Sequence, residues 1–218
     1  QILKQDKVMM KYIENNIGTN IEEVCSKLIS LLERYLNMEI CSTLLDNKFE
    51  QNFINREISE VLDQVSDEFN EINKMKTKWL STITSLLYKI SDRKATNVIK
   101  VHTTEKNGMY FYATNARCKG IQENLTKHHK KNKFIVNGLD FSTFKPTTGA
   151  VGGNKKLLGT DLKNFYDKYG QKLDNMREIL TNVYTEFIIS LREYNNEMND
   201  FVKYVSNLDM LITKAFVS

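Results

Sequence analysis

The chain has 218 residues and a formal net charge of +4, and 41% of its residues are hydrophobic, which is enough for a core and excludes wholesale disorder. It contains one proline and nine glycines, so the composition favours long helices over a loop-rich β protein. It has no run of about 18 uncharged apolar residues, so we expect no membrane-spanning helix. The chain begins with Gln1 rather than methionine, and we therefore expect a piece of a larger protein.

Positive charge is concentrated in the middle of the chain. Residues 93–160 hold 13 basic and 3 acidic residues, a net charge of +10, whereas the remainder holds 18 basic and 24 acidic residues, a net charge of −6. The same segment contains seven of the nine glycines, the proline and all three histidines. This shift predicts a helical part at 1–92, a basic β-rich insert at 93–160 and a returning helix at 161–218.

Helical patterns occupy both flanks of the insert. A short helix is predicted within 2–14, and a capping-box pattern at 19–22 predicts a helix that runs to about residue 45. One apolar stripe runs from Val65 to Ile90 and a second from Leu162 to Ile212, both with steps of about 3.6 residues. Ser66 is the predicted start of the first of these two helices. We predict an antiparallel helical hairpin with the insert at its tip and a helical base at the N-terminus.

The insert has strand and turn signals. Residues 98–104 are rich in β-branched side chains, Asn107 and Gly108 form a two-residue hairpin signal, and 109–114 predict the returning strand. Residues 134–144 predict further strand with an internal turn, 118–125 a short helix, and 126–133 a basic loop. The predicted fold class is therefore mostly α with a small antiparallel β insert.

Several kinds of site are not supported by the sequence. The three cysteines are far apart and have no metal-ligand spacing, which predicts an intracellular reducing compartment; nucleus, organelle, cytoplasm and viral factory are not distinguished. His128 and His129 lack a third ligand, so no metal site is predicted. The glycine-rich run 149–156 does not fit a phosphate-binding loop, because that pattern needs glycine at 154 and serine or threonine at 156. With no catalytic constellation, the chain is not predicted to be an enzyme by itself.

The basic insert predicts contact with phosphate groups. The chain has 25 lysines and 6 arginines, which favours point-charge contacts with a nucleic-acid backbone over bidentate reading of bases. Such binding is salt-sensitive and independent of sequence. A solvated lysine-rich loop without a ligand is the alternative. The predicted phosphate contacts are Lys127, Lys130, Lys131, Lys133, Lys145, Lys155 and Lys156, with Arg117 and Lys119 behind them.

The order of long helix, basic β insert and returning helix resembles the lever and clamp region of MutS-type DNA mismatch-repair proteins. Residues 65–72 are similar to the acidic start of the descending lever helix, 108–112 to a clamp strand, 153–163 to the return into the lever, and 206–215 to the closing signature. The resemblance covers about 65–218. Residues 145–149 stand where the family has an Arg-Arg-Gln-Thr run, and the loop at 115–133 is longer than is usual in bacterial members. This divergence suits an organellar or viral branch of the family.

The resemblance implies a function for the chain. MutS proteins are dimeric ATPases that encircle DNA, with clamps that hold the duplex backbone and levers that join the clamps to the ATPase domain. The chain would then be a clamp and lever that binds double-stranded DNA and belongs to a homodimer. ATP, Mg²⁺ and the mismatch-reading domain would lie outside it. The alternative is a structural coiled-coil hairpin that binds a protein partner through its tip.

Overall fold

The computed structural model describes residue 11 and residues 21–44, 49–87, 98–104, 108–129 and 134–217, without the side chains of 128, 129 and 214–217. Contacts divide the chain into two compact units, one of Gln1–Glu60 with Ile179–Ser218 and one of Val61–Glu178. The domain boundaries predicted at 92 and 160 follow composition rather than contacts, and they stay predictions. The helix predicted within 2–14 and the capping box at 19–22 lie outside the described residues, except for Lys11 and for 21–22.

Two helices of the first unit replace the single helix predicted up to residue 45. Helix α1 spans Ile21–Tyr35 and helix α2 spans Met38–Thr43. Asn37 caps the second helix, since its side-chain Oδ1 accepts a hydrogen bond from the backbone N–H of Ile40 at 3.0 Å. An asparagine at this position favours a new helix start over continuation. The prediction of one continuous helix was therefore wrong.

Helix α3 spans Glu60–Leu87, so it begins six residues before the predicted start at Ser66. Ser66 is instead buried inside the helix, and its hydroxyl has no hydrogen-bond partner among the described residues. Two earlier residues account for the difference. Leu62 is only 1% exposed and extends the apolar stripe by one turn, and Ser59 directly precedes the helix, where N-cap residues are favoured.

The insert contains six short strands, one α-helix and a 3₁₀ turn at Val151–Gly153 in the described residues. Strands β1 (Lys100–Thr104), β2 (Gly108–Ala113), β5 (Lys145–Thr147) and β6 (Lys155–Leu158) form an antiparallel sheet in the order β1-β2-β6-β5. Strands β3 (Ile135–Val136) and β4 (Leu139–Asp140) form a separate hairpin, and helix α4 spans Asn115–His129. The predicted antiparallel pairing of the two runs is confirmed. Gly108, with a φ of 63°, pairs with Thr104 inside the ladder, so the predicted two-residue turn at Asn107 and Gly108 is wrong. The connection at 105–107 lies outside the described residues.

The returning segment is helical, as predicted, with one interruption. Helix α5 spans Thr160–Ser190, a 3₁₀ turn spans Leu191–Tyr194, and helix α6 spans Asn195–Val217. The predicted apolar stripe is buried at most positions through Phe187. Farther along, three of its members are exposed by 40% or more, and these are Phe201, Val205 and Ile212.

Helices α3 and α5 pack against each other in antiparallel orientation in the second unit. The Phe69 and Tyr169 rings lie 5.5 Å apart and the Trp79 and Phe165 rings 6.3 Å apart. Residue numbers therefore increase along α3 in the direction in which they decrease along α5. Lys172 donates a hydrogen bond to Glu68 across the pair, and this bond lowers the pKa of the Glu68 carboxyl. The coarse fold prediction, mostly helical with a small antiparallel sheet, is confirmed.

No helix in the described part of the chain is long and apolar enough to cross a membrane.

Tyr166 joins helix α5 to two strands of the sheet. Its buried hydroxyl accepts a hydrogen bond from the backbone N–H of Phe111 at 3.2 Å and donates one to the backbone carbonyl of Leu157 at 2.9 Å. The same burial raises the pKa of the Tyr166 hydroxyl above its ordinary value. The hydroxyl therefore fixes the sheet on the helix only in its neutral form.

We expect Tyr166→Phe to lower the free energy of unfolding by about 1–3 kcal/mol, because two buried backbone groups lose their partner. The wild-type chain should also lose stability above about pH 10, where Tyr166 ionises in the unfolded state but not in the folded state. Urea titrations at pH 8 and pH 11 would check both effects. The difference between the two proteins should shrink at the higher pH. A constant difference would contradict this role.

Candidate nucleic-acid interface

The pairing of the four strands divides the sheet residues between two faces. In antiparallel strands, paired residues point to the same face and successive residues alternate. Lys100 pairs with Tyr112, Tyr112 with Lys156, and Lys156 with Thr147, so these four form one row across the sheet. We call the face that carries this row the outer face. Its other members are His102, Thr104, Gly108, Tyr110, Lys145 and Leu158.

The inner face packs against the helices along strands β2 and β6. Phe111 and Leu157 have no exposed surface, and Met109 and Ala113 are each 3% exposed. The Phe111 ring lies 5.9 Å from the Phe165 ring of helix α5. On β2 and β6 this burial leaves the outer face as the side that is available to a ligand, whereas on the edge strand β1 the inner-face residues Val101 and Thr103 are also exposed.

Three lysines surround the aromatic residues of the outer face. Lys100 and Lys145 are exposed on the two edge strands, and Lys156 lies half-buried on an inner strand. Strands are about 4.8 Å apart, so Lys100 and Lys156, two strands apart, are separated by roughly 10 Å at the backbone. Their long side chains can thus reach neighbouring phosphates of one nucleic-acid chain.

The aromatic rings of the outer face are in mutual contact. The His102 ring lies 5.2 Å from the Tyr110 ring and 6.2 Å from the Tyr112 ring, and the two tyrosine rings are 6.3 Å apart. The Lys156 ammonium lies 4.5 Å from the centroid of the Tyr110 ring, a cation–π contact that positions the charge over the sheet. Tyr110 is 3% exposed, while His102 and Tyr112 are half-buried. Tyr110 therefore supports the two more exposed rings.

The strands of the sheet carry no negative charge. They contain four lysines and no aspartate or glutamate. Among the described residues, no carboxylate lies within 4.0 Å of the ammonium groups of Lys100, Lys145 or Lys156, whereas Lys27, Lys74, Lys172 and Lys203 on the helices all have such partners. A cationic surface without internal neutralisation attracts anions.

Lys155 and Lys156 were predicted together as phosphate contacts, and the strand separates them. Lys155 pairs with the buried Ala113 and is half-buried on the inner side. There its charge acts on the thiol of Cys118, where it partly opposes the burial that raises the pKa of Cys118. Lys156 and Lys145 lie on the outer face. Sequence order alone could not reveal this division, because it depends on the strand pairing.

Three predicted phosphate contacts lie on helix α4. Lys119 and Lys127 are exposed on it, eight positions apart, away from the buried residues Cys118 and Ile121. Arg117 is half-buried, and its Nη1 donates a hydrogen bond of 2.9 Å to the backbone carbonyl of Val98. Arg117 thus has a structural contact, whereas the two lysines are open to solvent.

Three other predicted contacts, Lys130, Lys131 and Lys133, lie outside the described residues. Phosphate contact by any of the nine predicted residues stays a prediction.

No protein-family model matches the chain, and no curated protein matches it significantly. The chemistry of the surface itself is therefore the basis for a functional assignment. Across the described ranges, no group of three or more histidine, cysteine, aspartate or glutamate side chains is arranged to hold a metal ion.

Two residues of the outer face, Lys100 and His102, were not predicted from the sequence. The alternation in the runs 100–104 and 110–112 could have identified them, since every second residue of a strand shares a face. The missing information was the pairing of β2 with β6, two strands that are more than 40 residues apart.

Proposed function

We propose that this chain binds the backbone of double-stranded DNA without regard to sequence. The observation that carries the proposal is the group of three lysines on the outer face of a sheet whose strands contain no carboxylate. Lysine is a flexible point charge that suits phosphate oxygens, and backbone contacts carry no sequence information directly.

The arrangement of the second unit supports a clamp-like role. In the sequence, the basic sheet lies between helices α3 and α5, which pack against each other in antiparallel orientation. The sheet packs on α5 through Phe111. In the proposed mechanism the helices act as a lever and the sheet as a clamp of a MutS-like protein. The ATPase and mismatch-reading domains, and a second copy of the protein, would then complete the assembly around DNA.

A binding assay tests the proposal. Two labelled duplexes of about 30 base pairs with unrelated sequences are titrated with the 218-residue chain at about 50 mM salt, and fluorescence anisotropy reports the dissociation constants. We expect binding to both duplexes with dissociation constants that agree within about threefold, because the contacts are to phosphates. No binding to either duplex, or a preference above about 100-fold for one sequence, would overturn the proposal.

A further inference from the structure

The outer face has more aromatic surface than phosphate binding requires. Lysines alone neutralise phosphates, yet His102, Tyr110 and Tyr112 lie together between them. Aromatic side chains on a sheet, interleaved with cations, form the kind of surface on which unpaired bases stack, since every base has a π-face. In a duplex the bases are already stacked on one another, so the rings would have no base to contact.

The geometry gives different roles to the three rings. Tyr110 is covered by the Lys156 ammonium and is almost completely buried, so it cannot receive a base. His102 and Tyr112 lie 6.2 Å apart on adjacent strands, and both keep part of their surface exposed. Lys100 pairs directly with Tyr112 on one side and Lys156 on the other, so a base on the tyrosine would have a cation on each side for its flanking phosphates.

We propose that the outer face binds unpaired nucleotides, with Tyr112 and His102 stacking on bases and Lys100, Lys145 and Lys156 contacting phosphates. This site goes beyond duplex binding and does not depend on it. An acidic peptide could satisfy the lysines but would leave the rings without a stacking partner, so the aromatic residues favour nucleic acid.

The test separates bases from phosphates. An oligothymidylate of about 15 residues and a matched oligonucleotide with abasic sites at its central positions have the same phosphate backbone, and anisotropy measures the affinity of the full chain for each. The proteins are the wild type, Tyr112→Leu, His102→Ala and Tyr112→Phe, with Tyr204→Leu on helix α6 as the control. Thermal melting checks that each variant is folded.

We expect the wild type to bind the intact strand about tenfold more tightly than the abasic strand, because stacking of one or two bases has this effect. Tyr112→Leu and His102→Ala should each reduce that ratio towards one. Tyr112→Phe, which keeps the ring, and Tyr204→Leu should preserve it. The two aromatic variants provide independent tests, so the loss of one through misfolding leaves the other.

Failures of the two proposals are distinguishable. Equal affinity of the wild type for intact and abasic strands would overturn this inference, while duplex binding in the same assay would still support the proposed function. Binding to the intact strand that depends on Tyr112, without duplex binding, would support the inference and overturn the proposed function. Binding of labelled polyglutamate, with no binding to the intact strand or to the duplex, would overturn both proposals.

Discussion

Reversing the three lysines of the outer face, with Lys100→Glu, Lys145→Glu and Lys156→Glu, should weaken duplex binding by at least about 100-fold at about 50 mM salt, because each substitution removes one proposed phosphate contact and adds a repulsive charge. The three lysines lie on one face of one sheet, so a single nucleic acid would meet all of them. Anisotropy with a duplex of about 30 base pairs measures the loss.

A control with the same charge change tests the location of the site. Lys163, Lys168 and Lys203 are exposed on helices α5 and α6, and their reversal to glutamate changes the net charge equally. If binding depends on the outer face, this control should weaken it by less than about fivefold, through the long-range field alone. Equal losses in the two triple variants would show that net charge, and not the outer face, controls binding.

Phe111→Ala should lower the free energy of unfolding by about 3–5 kcal/mol, a larger loss than that expected for Tyr166→Phe. The Phe111 side chain has no exposed surface and lies between the sheet and helix α5, in ring contact with Phe165 and Tyr166. Its removal leaves a cavity at the junction that fixes the sheet to the helices. Urea denaturation followed by circular dichroism measures the change.

Val101 supplies the matched comparison, because it pairs with Phe111 across strands β1 and β2 but is 40% exposed. Val101→Ala should cost less than about 1 kcal/mol, since little packing is lost. Similar losses for both variants would indicate that the strand pairing, rather than the core beneath it, determines the stability of the sheet.

Local patterns in the sequence identified most elements of the fold. The apolar stripe from Leu162 marks the buried side of helix α5, and the β-branched run before Asn107 marks the hairpin of β1 and β2. The errors concern helix ends and the strands β5 and β6, which were not predicted. Ser66 is a residue type that often caps helices, but packing of Leu62 extends helix α3 toward its N-terminus, to Glu60. Asn37 caps a new helix, α2, where a single long helix was expected.

The candidate site was less predictable than the fold, because it depends on contacts between distant strands. Composition located the positive charge in 93–160 but assigned equal roles to Lys155 and Lys156. Their opposite orientation follows from the pairing of β6 with β2, which also places Lys100 and Tyr112 in the same row as Lys156. A local pattern gives the alternation along each strand, and only the three-dimensional pairing aligns the strands.

The salt dependence of duplex binding tests the central claim most directly. Anisotropy titrations between about 50 and 300 mM salt give the slope of the logarithm of the binding constant against the logarithm of the salt concentration. If the three outer-face lysines each contact a phosphate, replacing all three with alanine should make this slope shallower by about 2.7, at roughly 0.9 for each lysine. An unchanged slope in that variant would contradict the claim that the outer face binds the DNA backbone.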